Sequence, residues 1–167
     1  MDTVTPDTPP LELTLPNLDA TKRLAAELAT CAQPGLVVLL DGPVGAGKTT
    51  LARHTIQTLL SRAGRMEDVP SPTFTIVQTY EASSIEVWHA DLYRLTSTDE
   101  LAELGLDTAF DTAFCLIEWP DRLGSEAPDH LSIMLGYGET EGTRHATIDG
   151  KRSAKPILAQ LRKNLTP

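Results

Sequence analysis

LVVLLDGPVGAGKTTLARH, Leu36 to His54, decides the reading of this 167-residue chain. Five apolar residues, Leu36 to Leu40, run into Gly42-Pro43-Val44-Gly45-Ala46-Gly47-Lys48-Thr49, and a helix-forming segment follows. That is G-x-x-x-x-G-K-[ST] in the setting it requires, with a strand before the loop and a helix after it. Glycines let backbone N–H groups close around phosphates, and a helix opening at Lys48 points its positive dipole end at them. Gly42, Val44, Gly45, Ala46, Gly47, Lys48, Thr49 and Thr50 are therefore the expected cradle. Lys48 can reach the β- and γ-phosphates, and the Thr49 hydroxyl can ligate Mg²⁺. The stretch predicts binding of a nucleoside triphosphate.

Upstream, LELTL places Leu11, Leu13 and Leu15 in alternation, the pattern of a half-buried edge strand that Pro16 stops. Asp19 or Asn17 can cap a helix through DATKRLAAELATCA, to Ala32, with Leu24, Leu28 and Cys31 on one face. Pro34-Gly35 ends it and returns the chain to the central strand. Downstream, TLARHTIQTLLSRAG continues the loop's helix, and Gly64 suits its C′ position. His54 on that helix has no second His or Cys at metal-binding spacing and reads as a surface residue.

Pro70-Ser71-Pro72 holds the next segment extended, and Thr73-Phe74 is expected to begin an alternating strand. Ser83-Ser84 reads as a turn, and IEVWHADLYRL as the returning antiparallel strand. Ser97-Thr98-Asp99-Glu100 matches a capping box that opens a short helix closed by Gly105. Ala113 to Ile117 form a buried strand ending in Glu118, and PDRLGSEAPD reads as a loop. LSIMLGYG and TRHATIDG flank a second hairpin turn, and AKPILAQLRKNL makes a final amphipathic helix. The expected class is α/β: a P-loop NTPase three-layer sandwich, its mostly parallel sheet extended by antiparallel hairpin strands.

The length fits one domain, expected over residues 11–167, behind a Pro- and Thr-rich lead-in, residues 1–10, that reads as disordered. The N-terminus carries acidic residues and no basic n-region, so it does not read as a secretory signal. No apolar run approaches the roughly 18 residues of a membrane span, and a cytoplasmic protein is expected. Cys31 and Cys115 read as two buried thiols in a reducing compartment. Charge is uneven. Residues 1–143 hold 8 Lys/Arg against 22 Asp/Glu, a net of −14, and residues 144–167 hold 6 against Asp149 alone, a net of +5. An acidic body repels polyanions, which argues against DNA or unaided RNA binding across a broad face. The basic C-terminus is either a solvated helix face or a contact for RNA or an acidic partner.

A P-loop needs an acidic residue at the end of a neighbouring buried strand to hold Mg²⁺ or its water. Glu118, after Phe-Cys-Leu-Ile, answers that need. In Trp88-His89-Ala90-Asp91, alternation puts His89 and Asp91 on one face of a strand. Asp91 can take a hydrogen bond from metal-bound water or orient the attacking water, and His89 as a general base is a weaker alternative. Ser71-Pro72-Thr73-Phe74 offers a hydroxyl, held by a proline-stiffened loop, that can sense a γ-phosphate; a plain turn is the equal alternative.

GPVGAGKTTL, SPTFTIVQTY, HADLYRL and LIEWPDRL, in this order and spacing, resemble the bacterial TsaE family, formerly YjeE, from about Leu11 to Gly150. The resemblance implies a small ATPase of tRNA threonylcarbamoyladenosine biosynthesis. Such a protein binds and slowly hydrolyses ATP with Mg²⁺, and supports repeated turnover of a TsaB–TsaD complex that modifies adenosine 37. It would meet tRNA only through that complex. By position, Thr49 and Glu118 would ligate Mg²⁺, and Lys48 and the loop amides would take the phosphates. Asp91 matches the family's HxD aspartate, Thr73 its switch threonine and Trp119 the tryptophan after its acidic residue. Thr21 sits where the family approaches the nucleotide base. The family's loop usually reads Gly-Asp-Leu-Gly, whereas Pro43-Val44 here removes one N–H and one carboxylate.

A small-molecule P-loop kinase is the alternative. Such enzymes need cationic groups beyond the loop to clamp an acceptor, and between Met66 and Thr143 only Arg94 and Arg122 are basic. A GTPase is disfavoured because no Lys is followed two positions later by Asp.

Overall fold

The computed structural model describes residues 8–167. The expected disordered lead-in falls almost entirely on residues outside this range. Among the described residues seven strands form one sheet: β1 (Leu11–Leu15), β2 (Val37–Asp41), β3 (Val77–Ala82), β4 (Ile85–Asp91), β5 (Phe114–Glu118), β6 (Leu131–Tyr137) and β7 (Arg144–Gly150). Their order is β1-β7-β6-β2-β5-β4-β3. β6, β2, β5 and β4 are parallel neighbours, and the β3–β4, β6–β7 and β1–β7 pairs are antiparallel. The mostly parallel sheet with hairpin extensions is as expected.

The central strand follows from its composition. Val37, Val38, Leu39 and Leu40 are all buried, because helices cover both faces there. Val38, Leu40, Phe114 and Leu116 face α1 (Leu18–Cys31), α2 (Lys48–Arg62) and α5 (Lys155–Leu165). Val37, Leu39, Cys115 and Ile117 face α3 (Glu100–Leu104) and α4 (Leu106–Thr112). That gives three layers. Among the described residues nothing covers the second face under β1, β7 and β6, and Glu12, Thr14, Met134 and His145 there are exposed. The half-polar alternation of those strands records this one-sided burial.

Local signals explain most boundaries. Asn17, rather than Asp19, caps α1, its Oδ1 accepting from the Ala20 N–H at 2.9 Å. Asp19 falls in the first turn, where its charge suits the helix dipole. Gly64 ends α2 at φ 72°, and the Arg65 N–H reaches back to the Leu60 carbonyl at 2.8 Å. Both cysteines are free and buried, and burial pushes the Cys115 thiol up to about 12. His54 is half-buried, and burial lowers its pKa. None of the described helices is long and apolar enough to cross a membrane.

Three expectations are corrected. Thr73-Phe74 does not begin a strand: the chain turns instead, with the Ile76 N–H bonded to the Pro72 carbonyl at 2.7 Å, and β3 opens at Val77. Ile76 at φ 67° makes the redirection. The capping box does not form either. Ser97 Oγ accepts from the Asp99 N–H at 3.2 Å, Glu100 accepts from the Thr96 hydroxyl at 2.9 Å, and the helix opens two residues later, at Glu100 with Asp99 as its N-cap. Finally β4 stops at Asp91: the Leu92 N–H gives the last rung to the Glu118 carbonyl at 3.1 Å, and the Tyr93 N–H then turns back to the Asp91 carboxylate at 3.0 Å. α4 has no counterpart among the expected elements, and residues 120–126, part of the expected PDRLGSEAPD loop, wind as 3₁₀ turns.

Phe114 is fully buried at the centre of the larger core. Phe114→Ala should cost about 3–5 kcal/mol in urea unfolding, while Met66→Ala, at a side chain 98% exposed, should leave the midpoint unchanged.

Candidate functional site

Asp41 ends β2 and accepts the Gly42 N–H at 2.8 Å, which starts the loop's turn. Gly42 lies at φ 140°, and a Cβ there would stand 2.3 Å from the Leu135 carbonyl oxygen, so only glycine fits. Gly47, at φ 105°, swings the chain into α2. A backbone-only N-terminus results. Among the described residues, the N–H groups of Gly45, Gly47, Lys48, Thr49 and Thr50 make no hydrogen bond. Free N–H groups at a helix start form an anion cradle.

Lys48 is 5% exposed, and its Nζ donates to the Gly42 carbonyl and, at 3.1 Å, to that of Pro43. Burial lowers its pKa, and the carboxylates of Glu118, Asp41 and Asp91 pull it back. The ammonium also stands 4.0 Å from the Trp119 ring centroid. Trp119 reaches that position because its backbone is left-handed, at φ 57° directly after β5. Tyr93 packs on it with ring centroids 5.0 Å apart.

Behind the loop, Thr49 Oγ1 donates to Glu118 Oε1 at 2.6 Å. Glu118 is 2% exposed, and the His89 Nε2–H donates to its other oxygen at 2.6 Å. Parallel pairing of β4 and β5 sets Asp91 opposite Glu118. The Asp91 carboxylate accepts from the Tyr93 N–H at 3.0 Å and from the Thr73 hydroxyl at 3.3 Å. Ser71 supports Thr73 through a 2.8 Å hydroxyl contact.

These groups surround a cavity of about 530 Å³. Val44, Gly45, Ala46, Gly47, Lys48, Thr49 and Thr50 line it, as do Thr73, Asp91 and Trp119. Thr21 lines it too, with Leu15, Asn17, Leu18, Leu135 and Arg144. Gly42 and Glu118 do not face the cavity; they sit behind the loop, where Glu118 touches it through Thr49. His89 is fully buried behind Glu118, away from the position a general base needs. The loop amides and Lys48 fit a polyphosphate. A hydroxyl and a carboxylate fit Mg²⁺, which takes few protein ligands and completes its shell with water and phosphate oxygens. No cluster of three His, Cys, Asp or Glu that could hold a metal by itself exists among the described residues.

Three residues around the loop escape a sequence reading. Arg144 donates to the Gly45 carbonyl at 3.2 Å and stacks over Tyr137, whose hydroxyl donates to the Val44 carbonyl. They clamp the crest of the loop from the β6–β7 hairpin, whose register pairs them. Charge counting assigns Arg144 only to the basic C-terminus. Tyr93 stands in HADLYRL, but its contact with Trp119 needs the turn after β4.

The family model for threonylcarbamoyl adenosine biosynthesis protein TsaE matches residues 15–146. The chain belongs to the TsaE family. Curated TsaE relatives include one from Rickettsia felis, 42% identical over 65% of this chain and 62% of its own length. The Bacillus subtilis TsaE is 37% identical over 71% of this chain and 73% of its own. The Nostoc TsaE is 34% identical over 80% and 82%. The match thus spans less than two thirds of the Rickettsia felis protein. Among solved structures, Bacillus subtilis YdiB superposes with a TM-score of 0.74 at 28% identity, over 94% of each chain. The TsaE-matching stretch contains the loop, both acidic residues and Arg144, and it stops before α5.

Because the loop touches Leu135 through Gly42, Gly42→Ala should destabilise the fold by at least about 2 kcal/mol. Urea unfolding measures this, and Gly64→Ala, with no neighbour within 4 Å of its Cβ, separates backbone strain from the clash.

Proposed function

We propose that this chain is a Mg²⁺-dependent ATP hydrolase of tRNA threonylcarbamoyladenosine biosynthesis. Residues 11–167 act as its one ATPase domain, in the cytoplasm, and its hydrolysis supports turnover of a TsaB–TsaD complex. The observation that carries this reading is the Thr49–Glu118 hydrogen bond of 2.6 Å at the foot of a loop most of whose amides have no partner among the described residues. It joins a phosphate cradle to a buried carboxylate, the pairing that triphosphate chemistry requires. Membership in the TsaE family supplies the pathway.

The residues divide the work by position. The loop amides and Lys48 bind the β- and γ-phosphates, which draws the ammonium away from the carbonyls it now contacts. Thr49 and Glu118 would hold Mg²⁺, which when bound would supply positive charge against that developing on the phosphate oxygens. Asp91 has a carboxylate edge on the cavity and orients the attacking water through a hydrogen bond. Thr73, bonded to Asp91, senses the γ-phosphate and carries its presence to the Ser71–Phe74 turn. Trp119 covers Lys48, and Thr21 and Leu18 meet the base. Pro43 offers no N–H, and its carbonyl holds Lys48 instead. The acidic body, −14 over residues 1–143, argues that tRNA is reached only through the partner complex.

Purified chain should hydrolyse ATP slowly, and faster with TsaB, TsaD and tRNA present. Glu118→Ala and Asp91→Asn should each lower kcat by about 100-fold or more, while ADP binding persists in Asp91→Asn. Hydrolysis that ignores the partners, with phosphate passing to a small acceptor, would favour the kinase alternative.

A further inference from the structure

His89 occupies a costly place. It is fully buried, its Nε2–H is spent on Glu118, and its Nδ1 has no partner among the described residues. An imidazole with an orphaned buried nitrogen is a poor choice for filling core volume, where an apolar side chain avoids the desolvation penalty. The ring does not line the cavity, so it cannot meet substrate. Its one polar contact is the Glu118 oxygen turned away from the loop.

That contact holds the rear oxygen of a carboxylate whose front oxygen is held by Thr49. Glu118 has two oxygens at 2.6 Å from two different elements: Thr49 of α2 in front and His89 of β4 behind. Removing the rear donor leaves a buried carboxylate oxygen unsatisfied, and the side chain gains freedom to rotate toward solvent or the P-loop amides. Histidine also sits two positions before Asp91 on the same side of β4. One strand therefore carries one acidic group and orients the other.

We infer that His89 is a positioning residue, setting the Glu118 carboxylate for the divalent cation by a hydrogen bond from behind. This rests on the ATPase reading above. Partners of this kind behind metal ligands typically alter metal affinity by about 10- to 100-fold.

The test uses the full chain loaded with a non-hydrolysable ATP analogue, titrated with Mg²⁺ by calorimetry. His89→Leu should bind Mg²⁺ about 10- to 100-fold more weakly, with the metal-free affinity for the analogue unchanged. His89→Gln can set its amide nitrogen near the imidazole Nε2 position and should recover most of the affinity; His89→Asn is too short and should not. In hydrolysis assays kcat should fall in the Leu and Asn variants while the KM for ATP stays. A merely structural histidine would lower thermal stability in all three variants without ordering their Mg²⁺ affinities. Wild-type Mg²⁺ binding in His89→Leu overturns the inference; if that variant does not fold, equal affinities of Gln and Asn variants overturn it. A wild-type chain that binds the analogue without responding to Mg²⁺, or does not bind it, overturns the ATPase reading itself.

Discussion

The Glu118 carboxylate is the constraint on which the site depends. Taking a carboxylate out of water costs several kcal/mol unless its oxygens are paired. Glu118 lies 2% exposed and is paired twice, by Thr49 and by His89. Its three participants come from α2, β5 and β4, so the charge cannot be satisfied unless helix, loop and both strands are in register. The parallel β4–β5 pairing puts Asp91 across from it for the same reason. The site is thus assembled by satisfying one buried charge, and the surrounding apolar strands exclude the water that would satisfy it otherwise.

Fixed elements behind the loop contrast with those in front of it. At the foot, Gly42 touches Leu135 and leaves no room for movement. On the crest, Val44 is 74% exposed, and Tyr137 and Arg144 hold the loop through the Val44 and Gly45 carbonyls. Those two contacts consume carbonyl oxygens and leave the N–H groups free. The loop is therefore braced by its acceptors and offers its donors, a division that suits an anion.

Much of this was legible before the fold was known, and the exceptions share a cause. β2, the loop and α2 are encoded locally: an apolar run, glycines at fixed spacing and a periodic helix. Alternation in β4 likewise put His89 and Asp91 on one face, and the charge ending β5 marked Glu118. What stayed hidden depends on contacts between distant segments. The turn at Ile76 is held by the Pro72 carbonyl and hands its own carbonyl to the Asp91 N–H at 2.8 Å, so β-branched alternation misled there. Glu100 chose the Thr96 hydroxyl over the capping position. α4 is a seven-residue helix whose Leu106, Ala109 and Phe110 acquire meaning only against Cys115 and Ile117. Arg144 and Tyr137 met the loop through hairpin register, and His89 showed its partner only once two strands were adjacent.

Trp119 links the locked foot to the adjustable mouth. Its left-handed backbone carries a steric penalty for a residue with a Cβ, of roughly 1–2 kcal/mol. An ordinary extended continuation would send the ring along the sheet. The kink places it over Lys48, where cation–π attraction returns part of that energy. The ammonium is then held by two neutral carbonyls and a ring, with no ion pair to it among the described residues. Each of those contacts is weaker than a salt bridge to phosphate, so Lys48 is kept buried yet releasable. Trp119 follows Glu118 directly, so it joins the two parts of the site: its ring meets Lys48 and Tyr93, and its backbone continues from the carboxylate that Thr49 and His89 pair.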